Sequence, residues 1–129
     1  MEEPLSVMVV DDQAPFRMAA RAVIRRSEGF SLAGEAENGV KALELAIEIH
    51  PDVVLMDINM PEMGGIEATR RIVAELPDTF VILCSTYDIS DLPPDAMASG
   101  ARAYVHKEQL GAKTLRRLWD QRNEVAFAT

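Results

Sequence analysis

The chain alternates five times between a short apolar run and a segment of helical periodicity, and this alternation constrains its fold more than any other feature. The predicted strands are Leu5–Val10, Phe30–Ala36, Val53–Asp57, 80–84 and 101–106. The predicted helices run from Pro15 to about Gly29, over 40–49, from Ile66 to about Leu76, over 94–100 and over 110–122. Short connections and right-handed crossovers make such strands parallel, with helices on both faces of the sheet. We therefore expect an α/β fold, a doubly wound five-stranded parallel sheet in a three-layer α/β/α sandwich.

Length, hydropathy and charge exclude several classes of protein. The 129 residues are enough for one domain with an ordinary core. No apolar stretch reaches the roughly 18 residues of a membrane span, and no signal-peptide pattern opens the chain, so we expect a soluble, cytoplasmic protein without membrane contact. The net charge of −8 has the wrong sign for binding a phosphate backbone, so direct nucleic-acid binding is not expected. The single cysteine, Cys84, lies in an apolar run and predicts a buried, inert thiol.

The third predicted strand has the strongest functional signal. The run Val53–Asp57 is apolar until its last residue, which is a carboxylate, and Pro61 with Gly64 and Gly65 then turns the chain. In open parallel α/β sheets, ligands bind in the crevice beyond the carboxyl ends of the strands. Asp57 is therefore placed where chemistry is expected.

Polar residues follow three other predicted strands and should meet Asp57 at the same edge of the sheet. They are Asp11, Asp12, Ser85, Thr86 and Lys107. Carboxylates about 4 Å apart repel by about 4 kcal/mol per pair at an effective dielectric constant of 20, so three of them imply a hard divalent cation. Magnesium suits such a site, and a backbone carbonyl past the strand end, such as that of Asn59, can be a further ligand. Lysine and hydroxyl groups can neutralise and hydrogen-bond a phosphoryl group.

Taken together, these motifs resemble the receiver domain of bacterial two-component response regulators. The matching marks are Asp11-Asp12, Asp57 followed by Met60-Pro61 and Gly65, Ser85, and the run from Ala103 to Lys107. The phrase from Ser85 to Asp88 is similar to receivers of the NarL/FixJ (LuxR-type) group. The resemblance covers residues 5–122 and implies a flavodoxin-like strand order 2-1-3-4-5. It assigns 1–122 to the receiver domain, and 123–129 to a tail or to the start of a linker to an output domain absent from this chain.

The resemblance implies an acceptor and a metal site. Asp57 would take a phosphoryl group from the phosphohistidine of a sensor histidine kinase. Asp12 and Asp57, with the backbone carbonyl of Asn59, would bind Mg²⁺ or Mn²⁺, and Asp11 would act mostly through water. The domain would assist its own phosphorylation and dephosphorylation, without being an enzyme that turns over a separate substrate.

The resemblance also implies a switch. Ser85 and Lys107 would contact the phosphoryl oxygens, and Thr86 would limit access to them. When the phosphoryl group draws the Ser85 hydroxyl inward, the ring of Tyr104 would turn in and reshape the face made by the fourth helix, fifth strand and fifth helix. That face would control an output domain, expected to be a DNA-binding transcription regulator, or a partner protein, and would be the place for any homodimer.

The chain departs from the family pattern at three places. Glu108 follows Lys107 where many receivers have proline, and Gly64 stands where an acidic residue is common. The pair Pro93-Pro94 shortens the fourth helix. We therefore expect an atypical output surface beside an intact acceptor site.

Three other functions fit parts of the pattern. A phosphohydrolase of the haloacid-dehalogenase type needs a second acid two residues after its nucleophile, where this chain has Asn59. A flavodoxin-like cofactor site needs a P-loop or a glycine-rich first turn, whereas Asp11-Asp12-Gln13 would repel a phosphate without a metal. A docking module without chemistry would need neither the acidic pair nor Lys107.

Overall fold

The computed structural model describes residues 3–124 and residue 127. In chain order its main elements are β1 (Leu5–Val10), α1 (Ala14–Arg26), β2 (Phe30–Ala36), α2 (Gly39–Ile49), β3 (Val53–Asp57), α3 (Gly65–Glu75), β4 (Phe80–Ser85), α4 (Pro94–Met97), β5 (Ala103–His106) and α5 (Ala112–Asp120). The strands form a parallel sheet in the order β2-β1-β3-β4-β5. The predicted fold class and strand order are therefore confirmed.

Alternate residues of the strands face two different layers of helices. On one face, Val54 and Val81 belong to an apolar cluster that also contains residues of α2, α3 and α4. On the other face, Leu55 and Ile82 belong to a cluster with residues of α1 and α5. All of β3 is buried, as is usual for a central parallel strand. Because helices cover both faces of the sheet, polar side chains that bind a ligand can lie only at the ends of the strands.

The predicted bounds of three elements near the carboxyl end of the chain were too wide. The fourth helix was predicted over 94–100 but ends at Met97, and Gly100 then adopts a φ of +98° that leaves the helix. The fifth strand was predicted from residue 101 but begins at Ala103. The fifth helix was predicted over 110–122 but is Ala112–Asp120, because a 3-10 turn at Lys107–Gln109 and an extended Gly111 precede it.

The single cysteine has the buried environment that the sequence predicts. Cys84 is buried, and burial raises the pKa of its thiol, which keeps it protonated. Of the predicted tail 123–129, the residues 125, 126, 128 and 129 lie outside the described part of the chain, as do residues 1 and 2 of the predicted domain. In the described ranges 3–124 and 127, none of the helices has the length and apolar character needed to span a membrane.

Candidate functional site

Three carboxylates meet at the carboxyl edge of the sheet. Asp11, Asp12 and Asp57 each offer an oxygen, and these oxygens lie within 4.8 Å of one another. The carboxylates are close because of the sheet register. Val10 of β1 pairs with Met56 of β3, so the next residues along each strand, Asp11 and Asp57, are also neighbours. Asp11 and Asp57 are buried, whereas Asp12 is exposed. The site is thus a pocket with two buried acids and one acid at its mouth.

Lys107 joins the two buried acids. Its Nζ lies 2.7 Å from Asp11 Oδ2 and 3.2 Å from Asp57 Oδ1. The ammonium also lies 4.7 Å from the centre of the Phe16 ring, so it makes a cation–π contact in addition to its two contacts with carboxylates. One ammonium therefore serves two carboxylates, so the pocket retains an excess of negative charge.

The backbone around the acids is held by close contacts. Asp11 accepts a hydrogen bond from the Gln13 N–H at 2.8 Å through Oδ1, and its carbonyl accepts one from Arg17 at 2.7 Å. After β3, the Gly65 N–H donates to the Ile58 carbonyl at 2.8 Å. A Cβ atom on Gly65 would lie 1.8 Å from the Asp57 carbonyl oxygen, so this turn requires glycine.

The electrostatics of the pocket alter two pKa values. Burial, together with the negative charge of Asp11, raises the pKa of Asp57 to about 6, although Lys107 acts in the opposite direction. Burial disfavours the Lys107 ammonium, but its contacts with Asp11 and Asp57 outweigh burial and raise the pKa of Lys107 above its usual value. A cation added beside Asp57 would remove the cost of ionising it.

The donor set fits a hard divalent cation. Asp11 Oδ2 is buried with the Lys107 ammonium 2.7 Å away, and its second lone pair can still accept a hydrogen bond from a metal-bound water. A solvent-open hollow of about 310 Å³ adjoins the acids, with Asp12, Ile58, Asn59 and Gly64 among the residues that line it. Carboxylate and carbonyl oxygens beside water are the surroundings that magnesium prefers.

The predicted switch residues are in direct contact. The hydroxyls of Ser85 and Tyr104 are 2.8 Å apart, and the carbonyl oxygens of Ser85 and Tyr87 are further possible acceptors for the single proton of the Tyr104 hydroxyl. Tyr104 is only 2% exposed. Its ring thus lies in the inward position, and the predicted switch role of Ser85 and Tyr104 stays a prediction.

Thr86 and Asn59 are exposed at the edge of the site. The Thr86 carbonyl is 3.0 Å from Nε2 of His106, so this histidine connects the loop after β4 to β5. The Asn59 side chain donates to the Tyr87 hydroxyl at 3.2 Å. This contact links the loop after β3 to the loop after β4.

Sequence reasoning missed Phe16, Arg17 and Tyr87 as neighbours of the site. Phe16 and Arg17 lie within the predicted first helix, and Tyr87 lies within the phrase from Ser85 to Asp88. No local pattern distinguishes an aromatic residue that supports a lysine from one that fills the core. Their roles depend on contacts between elements that are distant in sequence.

Comparisons with known proteins agree with this geometry. The family model of the response regulator receiver domain matches residues 7–118. The transcriptional regulatory protein DegU of Brevibacillus brevis is 34% identical over 107 residues, which are 83% of this chain and 45% of that protein. The chain thus spans about half the length of the transcriptional regulatory proteins it matches.

Solved structures show the same fold. A two-component response regulator of the LuxR family from Aurantimonas sp. SI85-9A1 is 29% identical, with a TM-score of 0.84 and coverage of 97% of this chain and 89% of that chain. The CheX-CheY-BeF₃-Mg²⁺ complex from Borrelia burgdorferi contains a chain that is 30% identical, with a TM-score of 0.78 and coverage of 92% and 89%. From its sequence, its fold and these relatives, the chain belongs to the response regulator receiver domain family and has a role in phosphorelay signalling.

Proposed function

We propose that Asp57 is the phosphoacceptor and that it receives its phosphoryl group from the phosphohistidine of a sensor histidine kinase. The observation that carries this proposal is the Lys107 ammonium, 3.2 Å from Asp57 and 2.7 Å from Asp11. An Asp57 oxygen attacks phosphorus, the phosphorus–nitrogen bond breaks, and the imidazole keeps the electron pair. Lys107 and the Ser85 hydroxyl then bind phosphoryl oxygens and offset their charge.

The cofactor in this proposal is Mg²⁺, with Mn²⁺ as a substitute. Asp12, Asp57 and the Asn59 carbonyl would hold it, with Asp11 acting mostly through water. When bound, the ion withdraws electron density from the phosphoryl oxygens and balances the negative charge of the pocket. The cluster of three acids supports this assignment, as does the Mg²⁺ in the Borrelia burgdorferi complex.

The signal in this proposal passes from Ser85 to Tyr104. The Ser85 hydroxyl exchanges its bond with Tyr104 for one with a phosphoryl oxygen, and the packing of Tyr104 changes. Phosphorylation shifts this equilibrium only by its different interaction with the two arrangements. Thr86, exposed beside Ser85, would limit the access of water and partner proteins to the phosphoryl group.

The changed surface in this proposal is the face made by α4, β5 and α5. It would control a DNA-binding output domain or a separate partner, and it would be the contact in any homodimer. Several relatives are transcriptional regulatory proteins of which this chain covers about half, which supports an output domain linked through residues 123–129. The domain 1–122 itself would bind no nucleic acid and would catalyse no reaction beyond its own phosphorylation and dephosphorylation. The compartment in this proposal is the cytoplasm.

The experiment is incubation with acetyl phosphate and Mg²⁺, followed by mass spectrometry of the intact chain. We expect one phosphoryl group that hydroxylamine removes, absent from Asp57→Asn and present in the control Asp78→Asn, which alters an exposed acid outside the pocket. Phosphorylation of Asp57→Asn to the wild-type level would refute the proposal. Continuous turnover of a phosphoester would instead identify a hydrolase.

A further inference from the structure

The shortened α4 leaves part of the apolar layer with little helical cover. α4 has four residues, of which only Ala96 is buried, and its last residue, Met97, is 67% exposed. The adjoining part of the apolar cluster contains Ala101 and Tyr104. A helix of one turn cannot bury a stripe of side chains over this region.

Phe127 belongs to that same cluster. Its side chain is 7% exposed and is grouped with Ala96, Ala101 and Tyr104. α5, which ends at Asp120, packs through other residues into the cluster on the opposite face of the sheet. Phe127 is therefore in the layer of α4, on the other side of the sheet from the helix that precedes it.

Arg102 connects the residues on either side of this crossing. Its carbonyl accepts a hydrogen bond from the Phe127 N–H at 2.6 Å. Its guanidinium donates to the carbonyl of Arg122 and to Asn123 Oδ1, the latter at 3.4 Å. Arg102, beside β5, thus contacts the C-terminal segment at two places, residues 122–123 and Phe127.

The backbone of Phe127 supports a specific rather than incidental contact. Its φ is +64°, in the left-handed region that bulky residues seldom adopt. Such a conformation persists when surrounding contacts impose it. Here those contacts are the burial of the ring and the bond to Arg102.

We propose that the apolar site uncovered by the short α4 is a docking site for Phe127 of the chain's own C-terminal segment, and that phosphorylation of Asp57 loosens this docking. The docking itself stands on the contacts of Phe127, whereas its regulation rests on the proposed function. Tyr104 shares the cluster with Phe127, and it loses a hydrogen bond when the Ser85 hydroxyl moves to the phosphoryl group. A less constrained Tyr104 loosens the apolar cluster that holds Phe127, and linkage makes the effect reciprocal.

The docking is tested by hydrogen exchange of the Phe127 amide in the full chain, measured by NMR. We expect exchange at least about tenfold slower than in an unstructured chain. The exposed neighbour Glu124 provides the control, since Glu124→Ala should leave this protection unchanged. Phe127→Ala should shift the ring resonances of Tyr104, and a peptide of residues 121–129 added to that variant should restore them, whereas the same peptide with alanine at 127 should not.

An unprotected Phe127 amide, or Tyr104 resonances identical in Phe127→Ala and wild type, would overturn the docking. Protection that appears only as chain concentration rises would also overturn it, because the occupant would then be the segment of a second copy. An added phosphoryl group should speed exchange at Phe127 about fivefold or more through loss of local stability. If intact mass shows phosphorylated Asp57 and exchange is unchanged, the regulation is wrong. If no phosphoryl group is found, the proposed function fails and the docking result stands.

Discussion

Charge balance at single residues explains why the pocket is suited to a cation. Asp11 and Asp57 are buried around one ammonium, that of Lys107, while Asp12 lies at the mouth. Interaction between buried charges is several times stronger than in water, so the unbalanced carboxylate is costly. The pKa of Asp57, raised to about 6 by burial and by Asp11, expresses that cost.

The raised pKa of Asp57 predicts an unusual pH dependence of stability. The folded chain binds this proton more tightly than the unfolded chain, so the contribution of Asp57 to the free energy of unfolding falls as pH rises from about 4 to about 6. Asp57→Asn lacks this loss and should be more stable than wild type at pH 7, by on the order of 2 kcal/mol without a metal. Urea unfolding in EDTA across this pH range measures the difference. A difference between the two proteins that does not change with pH would contradict the assignment.

Removal of Lys107 should show how much the ammonium stabilises the pocket. Lys107→Ala leaves Asp11 and Asp57 buried without a cation, which should lower the free energy of unfolding by about 3 kcal/mol. Mg²⁺ should restore more stability to this variant than it adds to wild type. The exposed Lys113 on α5 supplies the control, since Lys113→Ala should have little effect in either condition. Equal losses in the two variants would mean that the buried pair contributes nothing specific.

Connections between elements set the position of the acceptor. β3 ends at Asp57 and α3 begins at Gly65, and the turn between them returns so closely that a side chain at Gly65 has no room. The cation site and the switch loop are joined by the bond from Asn59 to Tyr87. A shift of the turn after β3 would therefore move both.

Gly65→Ala should be far more harmful than Gly111→Ala. The added Cβ would lie 1.8 Å from the Asp57 carbonyl oxygen in the first case, whereas in the second nothing lies within 4 Å. We expect a loss of about 3 kcal/mol or more for Gly65→Ala, because the backbone must move. Gly111→Ala should cost under about 1 kcal/mol, as expected for an N-cap position in extended conformation. Thermal unfolding of both variants tests this, and similar melting temperatures would show that the turn adapts freely.

The whole molecule combines a rigid central sheet with a less regular edge near its carboxyl end. β1, β3 and β4 are buried between two helical layers, whereas beside β5 the layer of α4 is reduced to one turn. Phe127 compensates for part of that missing cover. Cooperative unfolding shares any stability gained at the acidic pocket with the entire domain, while the proposed change in packing lies beside β5.

Magnesium should stabilise the folded domain as a whole. A ligand at about a hundred times its dissociation constant adds about 2.7 kcal/mol to the free energy of unfolding. Asp12→Ala removes one proposed ligand at the exposed mouth of the pocket, so its melting temperature should rise much less with Mg²⁺. Differential scanning calorimetry of both proteins over a series of Mg²⁺ concentrations measures this. The same rise in the variant would place the metal site elsewhere.

The sequence alone was sufficient for the sheet and for the set of residues at its edge. Apolar runs that end in Asp, Ser or Lys identify the strands, and parallel order brings the strand ends together, so the sequence predicts that Asp57, Asp11 and Lys107 are neighbours. The short α4 followed from Pro93-Pro94 in the same local way. Such inferences succeed because they depend on backbone geometry over a few residues.

Tertiary structure alone decided which side chains are buried and what they contact. Asp11 and Asp12 are adjacent in the sequence, yet the Asp11 side chain is buried in contact with Lys107, whereas the Asp12 side chain is exposed. The inward ring of Tyr104 and the return of Phe127 to the opposite face of the sheet likewise have no local signal. Their physical cause is packing between segments far apart in the chain, where the space left by one element determines what another can fill.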